Sequence, residues 1–468
     1  MQERVVIVGG GLAGLAAAAG LAARGCRVTV VEARPRWGGR ASSFVDQTTG
    51  ETIDNCQHVA LGCCTNFLHF CRLMQIDSLL QREARLWFIG PDGRSSDFAA
   101  SSWLPAPLHL FPSFLRLKYL TAYEKWRLAW GLRALARVDP ANCGTEPFAA
   151  WLVRHKQPAT LIERFWHVVL VSALSETLDR IDIGHARKVF VDAFLRSHSG
   201  WEVWIPRGAL HDLYGDQLTQ TLAGMGVDLR LRSGVQQLTM ADGRFRSVTL
   251  RDGQQIEADH VVLAVPHHLA AALLPAELKD NPGVRRIEQL EDAPISSVHL
   301  WFDRVVLPVP HATLVSRLSQ WVFCRPEAIQ DGDSQAAGQY LQVVISASRE
   351  VDGRPQSDVI QQVVQELAQI WPAVGEATLR HSRIVTEHRA ALSVTPGVEA
   401  LRPSQQTAIP NLQLAGDWTR TGWPSTMEGA VRSGFLAAEN ILRNCGRPDS
   451  IVVADLPTSW LSKLAFGL

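Results

Sequence analysis

The residues best suited to chemistry begin with Gly9, Gly11 and Gly14, spaced as G-x-G-x-x-G, followed by the acid Glu32 and by the pair Gly38-Gly39 ahead of Arg40. Glycines at this spacing let a chain turn tightly, bring its backbone against a pyrophosphate and pack a helix closely on a strand. A carboxylate 18 positions beyond Gly14 can accept a hydrogen bond from a ribose 2′-hydroxyl and repels a 2′-phosphate. Arg40 can hold a phosphate oxygen by a charge-assisted bond. Asp54 and His58 form a second group, a carboxyl and an imidazole suited to moving a proton. Near the other end Gly416-Asp417 precedes a further acid, Glu428.

These groups need elements to position them. Val5 to Val8 are four consecutive β-branched residues and predict a short, fully buried strand. An alanine-rich helix from Leu15 to Arg24 follows the glycines, and a second strand from Arg27 to Val31 ends at Glu32. The helix N-terminus then offers free N–H groups and the positive end of its dipole to a phosphate. Together these parts predict a βαβ site for an adenosine diphosphate moiety without a 2′-phosphate. Val5 to Ala23 is also an uncharged run of 19 residues, long enough to cross a bilayer, but its five glycines fit the nucleotide turn better. Toward the C-terminus a strand ends at Ala415-Gly416-Asp417, and Pro424 stands near the start of a helix running to about Asn440.

Composition narrows the partners. The 468 residues carry 46 Lys plus Arg against 46 Asp plus Glu, so no global field attracts polyanions, and nucleic acid is excluded as a partner. Fifteen Trp against four Tyr point to broad apolar walls. Four of the eight cysteines lie between Cys56 and Cys71, with His58 and His69 among them, but without a C-x-x-C pair. They read as free thiols in a packed segment, with no metal. Met1-Gln-Glu-Arg runs directly into the first strand, so the expectation is a reducing, cytoplasmic protein.

From Leu61 to about Ser197 the chain reads as helices, with a hairpin from Trp87 to Asp97 around Pro91-Asp92-Gly93. A helix is predicted from Leu210 to about Met225. Strands are predicted near Asp228–Leu231, Val235–Met240, Ser247–Leu250 and Val261–Val265, with turns at Asp242-Gly243 and Asp252-Gly253. Residues 290–405 read as sheet plus helix. Trp103 to Leu120 is apolar, broken by prolines, and carries only Arg116 and Lys118 as charges, and Ser459 to Leu468 repeats that mixture with one Lys. Either could lie in a membrane surface as a peripheral anchor; the competing readings are a buried helix pair and a docked tail.

The run Arg34-Pro-Arg-Trp-Gly-Gly-Arg-Ala-Ser42 resembles the glycine-and-arginine element of the FAD-dependent amine oxidase and phytoene desaturase superfamily. The resemblance implies an α/β protein: a discontinuous Rossmann-type FAD-binding domain (1–60, 205–290 and 406–445), an α+β substrate domain (61–204 and 291–405) and a tail (446–468). It implies FAD as cofactor, a ribityl hydroxyl on Asp417, the last helix aimed at the flavin pyrimidine, and further contacts at Ala13, Ala33, Val235, Met427 and Ala430.

Three segments look like hydroxysqualene dehydroxylases: Asp54-Asn-Cys-Gln-His58 with Gly62-Cys63, Leu104-Pro-Ala-Pro-Leu-His109, and Ala415 to Gly434. That family removes an allylic hydroxyl reductively from hydroxysqualene, an apolar isoprenoid, to give squalene and water. The chemistry asks for a hydride, a proton for the departing oxygen and a dry site. On this resemblance His58 is the nearer proton donor and Asp54 its orienting partner. Glu428 is a second carboxylate near the flavin, or else completes the first turn of the last helix. Cys56 stands where the family usually has glycine, which is harmless only if the backbone there avoids the left-handed region.

Three other readings compete. An amine oxidase would set a cage tyrosine where this chain has Thr426. A carotenoid-type desaturase shares polyene and flavin. A non-enzymatic prenyl-lipid carrier would have no need to keep Gly38-Gly39-Arg40 and Gly416-Asp417.

Overall fold

The computed structural model describes residues 2–140, 143–274, 278, 282–325 and 338–468, so parts of the ranges 1–60, 61–204, 205–290 and 291–405 read above lie outside the described residues. Strand β1 (Arg4–Val8) leads through Gly9 and Gly10 into helix α1 (Leu12–Ala22), and β2 (Arg27–Val31) follows. The helix starts three residues earlier than the alanine run suggests because Gly11 is its N-cap. Helix α2 spans Thr65–Leu73. Strands β3 (Asp228–Arg230), β4 (His260–Leu263) and β5 (Leu412–Leu414) precede helix α3 (Met427–Asn444).

The five strands pair in parallel in the order β3-β2-β1-β4-β5. Both faces of such a sheet are covered, which is why Val5 to Val8 are all buried and read as an unbroken apolar run. Every residue of α1 from Leu12 to Leu21 is buried. It packs on α3 so closely that a Cβ at Gly434 would run into the carbonyl oxygen of Ala13. Helix α2 lies on the substrate side of the chain in the reading above. Its Phe67, Phe70 and Cys71 pack instead into the core around α1 and α3.

A second, mostly antiparallel sheet has seven strands. In spatial order they are Leu379–Leu392, Asp292–Phe302, Gln339–Ser346, Trp321–Cys324, His311–Leu314, Leu86–Ile89 and Ser95–Phe98. The last two form the expected hairpin, and it joins the sheet by pairing Thr313 with Phe88 in parallel. Helix Gln356–Ile370 covers the sheet with Val359, Val363 and Leu367, a stripe at four-residue spacing. Of the stretch from Leu61 to about Ser197 read as helices with one hairpin, 108–195 is mostly helical, including two π-helical stretches at Ile162–His167 and Val189–Leu195, but Leu80–Glu83 is a strand that pairs with Val203–Pro206. The helix predicted from Leu210 is split at Gly215 into Leu210–Tyr214 and Asp216–Gly224.

All eight cysteines are free thiols. Cys63, Cys64 and Cys71 belong to the core around α1, and Cys56 packs with Phe323 and Val344. No helix of the described residues is long and apolar enough to cross a membrane.

Candidate active site

A cleft of about 660 Å³ runs along the carboxyl ends of β1, β2, β4 and β5, where ligands of open α/β sheets bind. Thirteen of the fourteen expected cofactor contacts line it, from Gly9 and Gly11 through Glu32, Arg40 and Val235 to Met427 and Ala430. Gly14 is the exception. A Cβ there would collide with the carbonyl of Gly9, so Gly14 serves the turn and not the cleft. Gly9 takes a φ of +113°, a conformation reserved for glycine. Gly11 differs from both: the nearest atom to a Cβ built on it is the Cα of Gly39, 3.8 Å away. Nothing in the protein fills that space, while α1 begins there with no side chain capping its N–H groups. An open cradle against bare helical donors fits a pyrophosphate.

Glu32 turns both carboxylate oxygens toward the same loop, accepting from Gly10 N–H at 2.7 Å and Arg34 N–H at 2.8 Å. Gly38 N–H donates to Gly10 at 2.9 Å, so the two glycine segments are tied together. Arg40 and Asp417, read separately as phosphate and ribityl ligands, form one ion pair in the cleft wall. Arg40 also donates to the Ala390 carbonyl at 3.1 Å. Two opposite charges brought out of water find each other first. Burial pushes the Asp417 carboxyl up, but Arg40 and the Ser425 hydroxyl outweigh it and hold it below the usual carboxylate range. Arg402, which the sequence reading missed, is almost fully buried and stitches the following loop. It donates to the carbonyls of Asp417 at 2.9 Å, Thr419 at 2.5 Å and Trp423 at 2.7 Å. An arginine in a loop carries no sequence mark of such a role.

The proton-transfer group divides. His58 lines the cleft, and its Nδ1 lies 2.9 Å from the carbonyl oxygen of Cys56. A carbonyl only accepts, so Nδ1 carries a hydrogen, and in the neutral ring Nε2 holds a lone pair. Burial pushes the imidazole below its ordinary value, against the opposing effects of the Cys56 carbonyl and Asp54. Asp54 does not line the cleft and does not orient His58. It accepts from Ser43 Oγ at 2.6 Å and Leu210 N–H at 2.9 Å, and pairs with Arg325. Those partners make it a clamp between chain segments. Cys56 is not among the residues with positive φ, so the departure from glycine leaves the loop unstrained.

Glu428 lines an apolar cavity beside the cleft, with its oxygens taken up by structural partners. Its oxygens accept from Asn66 N–H at 3.2 Å and Phe67 N–H at 2.7 Å, the first turn of α2, and from Arg432 Nε at 2.6 Å. It caps α2 from across the core and does not serve the first turn of its own helix, whose N-cap is Thr426.

A second cavity, of about 230 Å³, meets the cleft where Gln57, Val59, Ser172, Ala173, Thr426 and Met427 line both. Its walls are Val168, Val189, Phe194, Trp201, Trp321 and Trp423, among others. Lys188 reaches this wall with its Nζ 4.4 Å from the ring centre of Trp423 and 2.6 Å from Asp192. None of the four tyrosines lines either cavity.

Comparison with known proteins agrees with this geometry. The chain is 29% identical over 451 residues to a hydroxysqualene dehydroxylase of Sinorhizobium fredii, covering 94% of this chain and 98% of that protein. It is 27% identical over 481 residues to a 15-cis-phytoene desaturase of Synechococcus elongatus, covering 95% and 98%. An oxidoreductase from Methanosarcina mazei has the same fold, with a TM-score of 0.70 at 16% identity, over 92% of this chain and 98% of that one. The family model for flavin containing amine oxidoreductases matches residues 12–442. With the cleft and its fit to a dinucleotide, that match places the chain in the flavin containing amine oxidoreductase family, and the protein is an FAD-dependent oxidoreductase.

Proposed function

We propose that the protein is a hydroxysqualene dehydroxylase, removing an allylic hydroxyl from a long isoprenoid. The observation that carries this reading is the apolar cavity opening directly into the dinucleotide cleft. Hydrocarbon walls suit an isoprenoid and leave a carbon that is losing its oxygen without competing water. The absence of tyrosine from both cavities speaks against an amine cage.

When bound, the reduced flavin supplies the hydride. The Gly9–Gly14 turn with α1, Glu32 and the Gly38-Gly39 segment would hold the adenosine diphosphate end, and Met427 and Ala430, at the start of α3, would face the flavin end. His58 Nε2 is the atom assigned to the substrate oxygen. Neutral, it accepts the hydroxyl hydrogen and so orients the alcohol. Protonated, it hands a proton to the departing oxygen, which leaves as water. Carbon gains the hydride as the C–O bond breaks, so the alcohol plus hydride plus proton gives hydrocarbon and water.

The reverse flow, polyene desaturation, is favoured by the 27% identity to a 15-cis-phytoene desaturase over 95% of this chain and by one feature of the site. A buried, neutral His58 is set up to take a proton rather than give one. Anaerobic incubation of the dithionite-reduced protein with hydroxysqualene, scoring squalene by mass, tests the proposal. Parallel incubation of oxidised protein with phytoene tests the alternative. Phytoene consumption without squalene formation replaces the first reading by the second.

A further inference from the structure

Three surface elements leave large apolar side chains in water. The first is the segment 103–115, where Trp103 is 92% exposed and Phe111 and Leu115 are about half exposed. The second is helix Ala122–Ala136, which presents Tyr123, Trp126 and Trp130 at spacings of three and four residues, a single stripe. The rings of Trp126 and its two neighbours are 6.1 and 6.3 Å apart. The third is the C-terminal helix Trp460–Phe466, with Trp460 69% and Leu464 77% exposed on one face.

These elements adjoin one another. Lys125 Nζ donates to the Leu115 carbonyl at 2.7 Å, Arg133 to the Ala465 carbonyl at 2.7 Å, and Ser459 Oγ to the Ala106 carbonyl. Their charge is one-sided in a chain whose net charge is zero. Between 103 and 137 stand Arg116, Lys118, Lys125, Arg127, Arg133 and Arg137 against Glu124 alone, and the last helix adds Lys463. Glu124 is buried and used up as the N-terminal capping partner of Thr121. Arg116 donates to a serine hydroxyl, and Lys125, Arg127 and Arg133 donate to carbonyls, so these cations keep their charge.

Tryptophan and tyrosine interleaved with uncompensated cations match the interface of an anionic bilayer, where rings enter the headgroup layer and cations meet lipid phosphates. We infer that this composite surface docks the protein on an anionic membrane, with the C-terminal helix as part of it. The surface also backs onto the apolar cavity. In the turn Val189–Leu195, Val191 and Leu195 pack with Phe466 and Leu468, while Val189, Ala193 and Phe194 line the cavity.

The test is sedimentation of the flavin-loaded full chain with phosphatidylcholine vesicles, with and without phosphatidylglycerol. The expected result is binding that depends on phosphatidylglycerol and weakens with salt. It should fall by roughly tenfold or more in Trp126→Ser/Trp130→Ser and in Trp460→Ser/Leu464→Ser. Lys118→Glu/Lys463→Glu should lose the dependence on phosphatidylglycerol, and unchanged flavin absorbance would show that each variant is folded. Wild-type protein that ignores both vesicles, or variants that bind like wild type, would overturn the inference. So would a dimer in light scattering that Trp126→Ser/Trp130→Ser converts to monomer, since a second copy would then own the surface. Vesicle binding requires no turnover, so failure here leaves the proposed reaction untouched.

Discussion

At His58 the hydrogen bond from Nδ1 to the Cys56 carbonyl fixes the ring, and burial keeps it neutral near pH 7. His58→Ala should lower turnover by about 10²- to 10⁴-fold, the usual worth of a positioned proton carrier, while flavin absorbance stays. Single-turnover rates with enough substrate would measure this. The pH dependence separates the two directions of hydride flow. Dehydroxylation needs a proton on Nε2, so its rate should rise as pH falls from neutrality toward the lowered His58 pKa and level off below it. Desaturation needs the lone pair and should lose rate over that same acid range. A rate for squalene formation that is flat from neutral to acid pH would remove His58 from the proton's path. The chemistry legible in the sequence at this scale was local. His58 reaches the cleft, but Asp54 takes partners 156 and 271 positions away, at Leu210 and Arg325. No spacing rule announces such partners, and a carboxyl four residues from an imidazole therefore looked like its helper.

Elements explain which glycines bind and which merely fit. A Cβ at Gly11 meets open space within the protein, whereas one at Gly14 meets the Gly9 carbonyl. Gly11→Ala should therefore fold, melt like the flavin-stripped wild type, and bind flavin poorly. Gly14→Ala should fail earlier, with low soluble yield, because strand and helix must separate. Flavin titration and thermal melts on both variants distinguish these outcomes. Glu428 joins two helices, and Glu428→Ala would strip two N–H groups of α2 of their acceptor and leave the Arg432 guanidinium, 11% exposed, without that partner. Arg432 keeps its pair with Asp455, so the loss is chiefly that of the stripped N–H groups, about 1–3 kcal/mol each. The loss should show as a lower thermal midpoint of the holoenzyme, whereas Glu428→Gln, which keeps an acceptor, should lose less. Helix α3 was readable from Pro424 near its start, and α2 only as part of a helical stretch. That one helix is capped by an acid 362 positions later was not, because the contact exists only once α2 has docked on α3.

Across the whole molecule the nucleotide sheet is assembled from three distant stretches: β1 and β2, then β3 and β4 after nearly two hundred residues, then β5 after the strands of the second sheet. The βαβ unit was legible because all its parts lie within one short span. Five strands of the second sheet lie between β4 and β5 and the other two, Leu86–Ile89 and Ser95–Phe98, between β2 and β3, and strand pairing across such separations leaves no local pattern. The same interruption makes the cofactor a cross-link, for the cleft is lined from Gly9 to Ala430 by residues of all three stretches. A ligand that binds only the folded state stabilises it by about 4 kcal/mol when present at a thousand times its dissociation constant. Stripping the flavin should therefore lower the thermal midpoint measured by circular dichroism and by tryptophan fluorescence together. Adding ADP alone should restore part of the loss, because the Gly9–Gly14 turn, α1 and Glu32 would serve that half of the ligand. A 2′-phosphorylated ADP should restore less, since its phosphate would meet the Glu32 carboxylate. Equal recovery with the two nucleotides would mean that Glu32, held by Gly10 and Arg34, does not read the ribose at all.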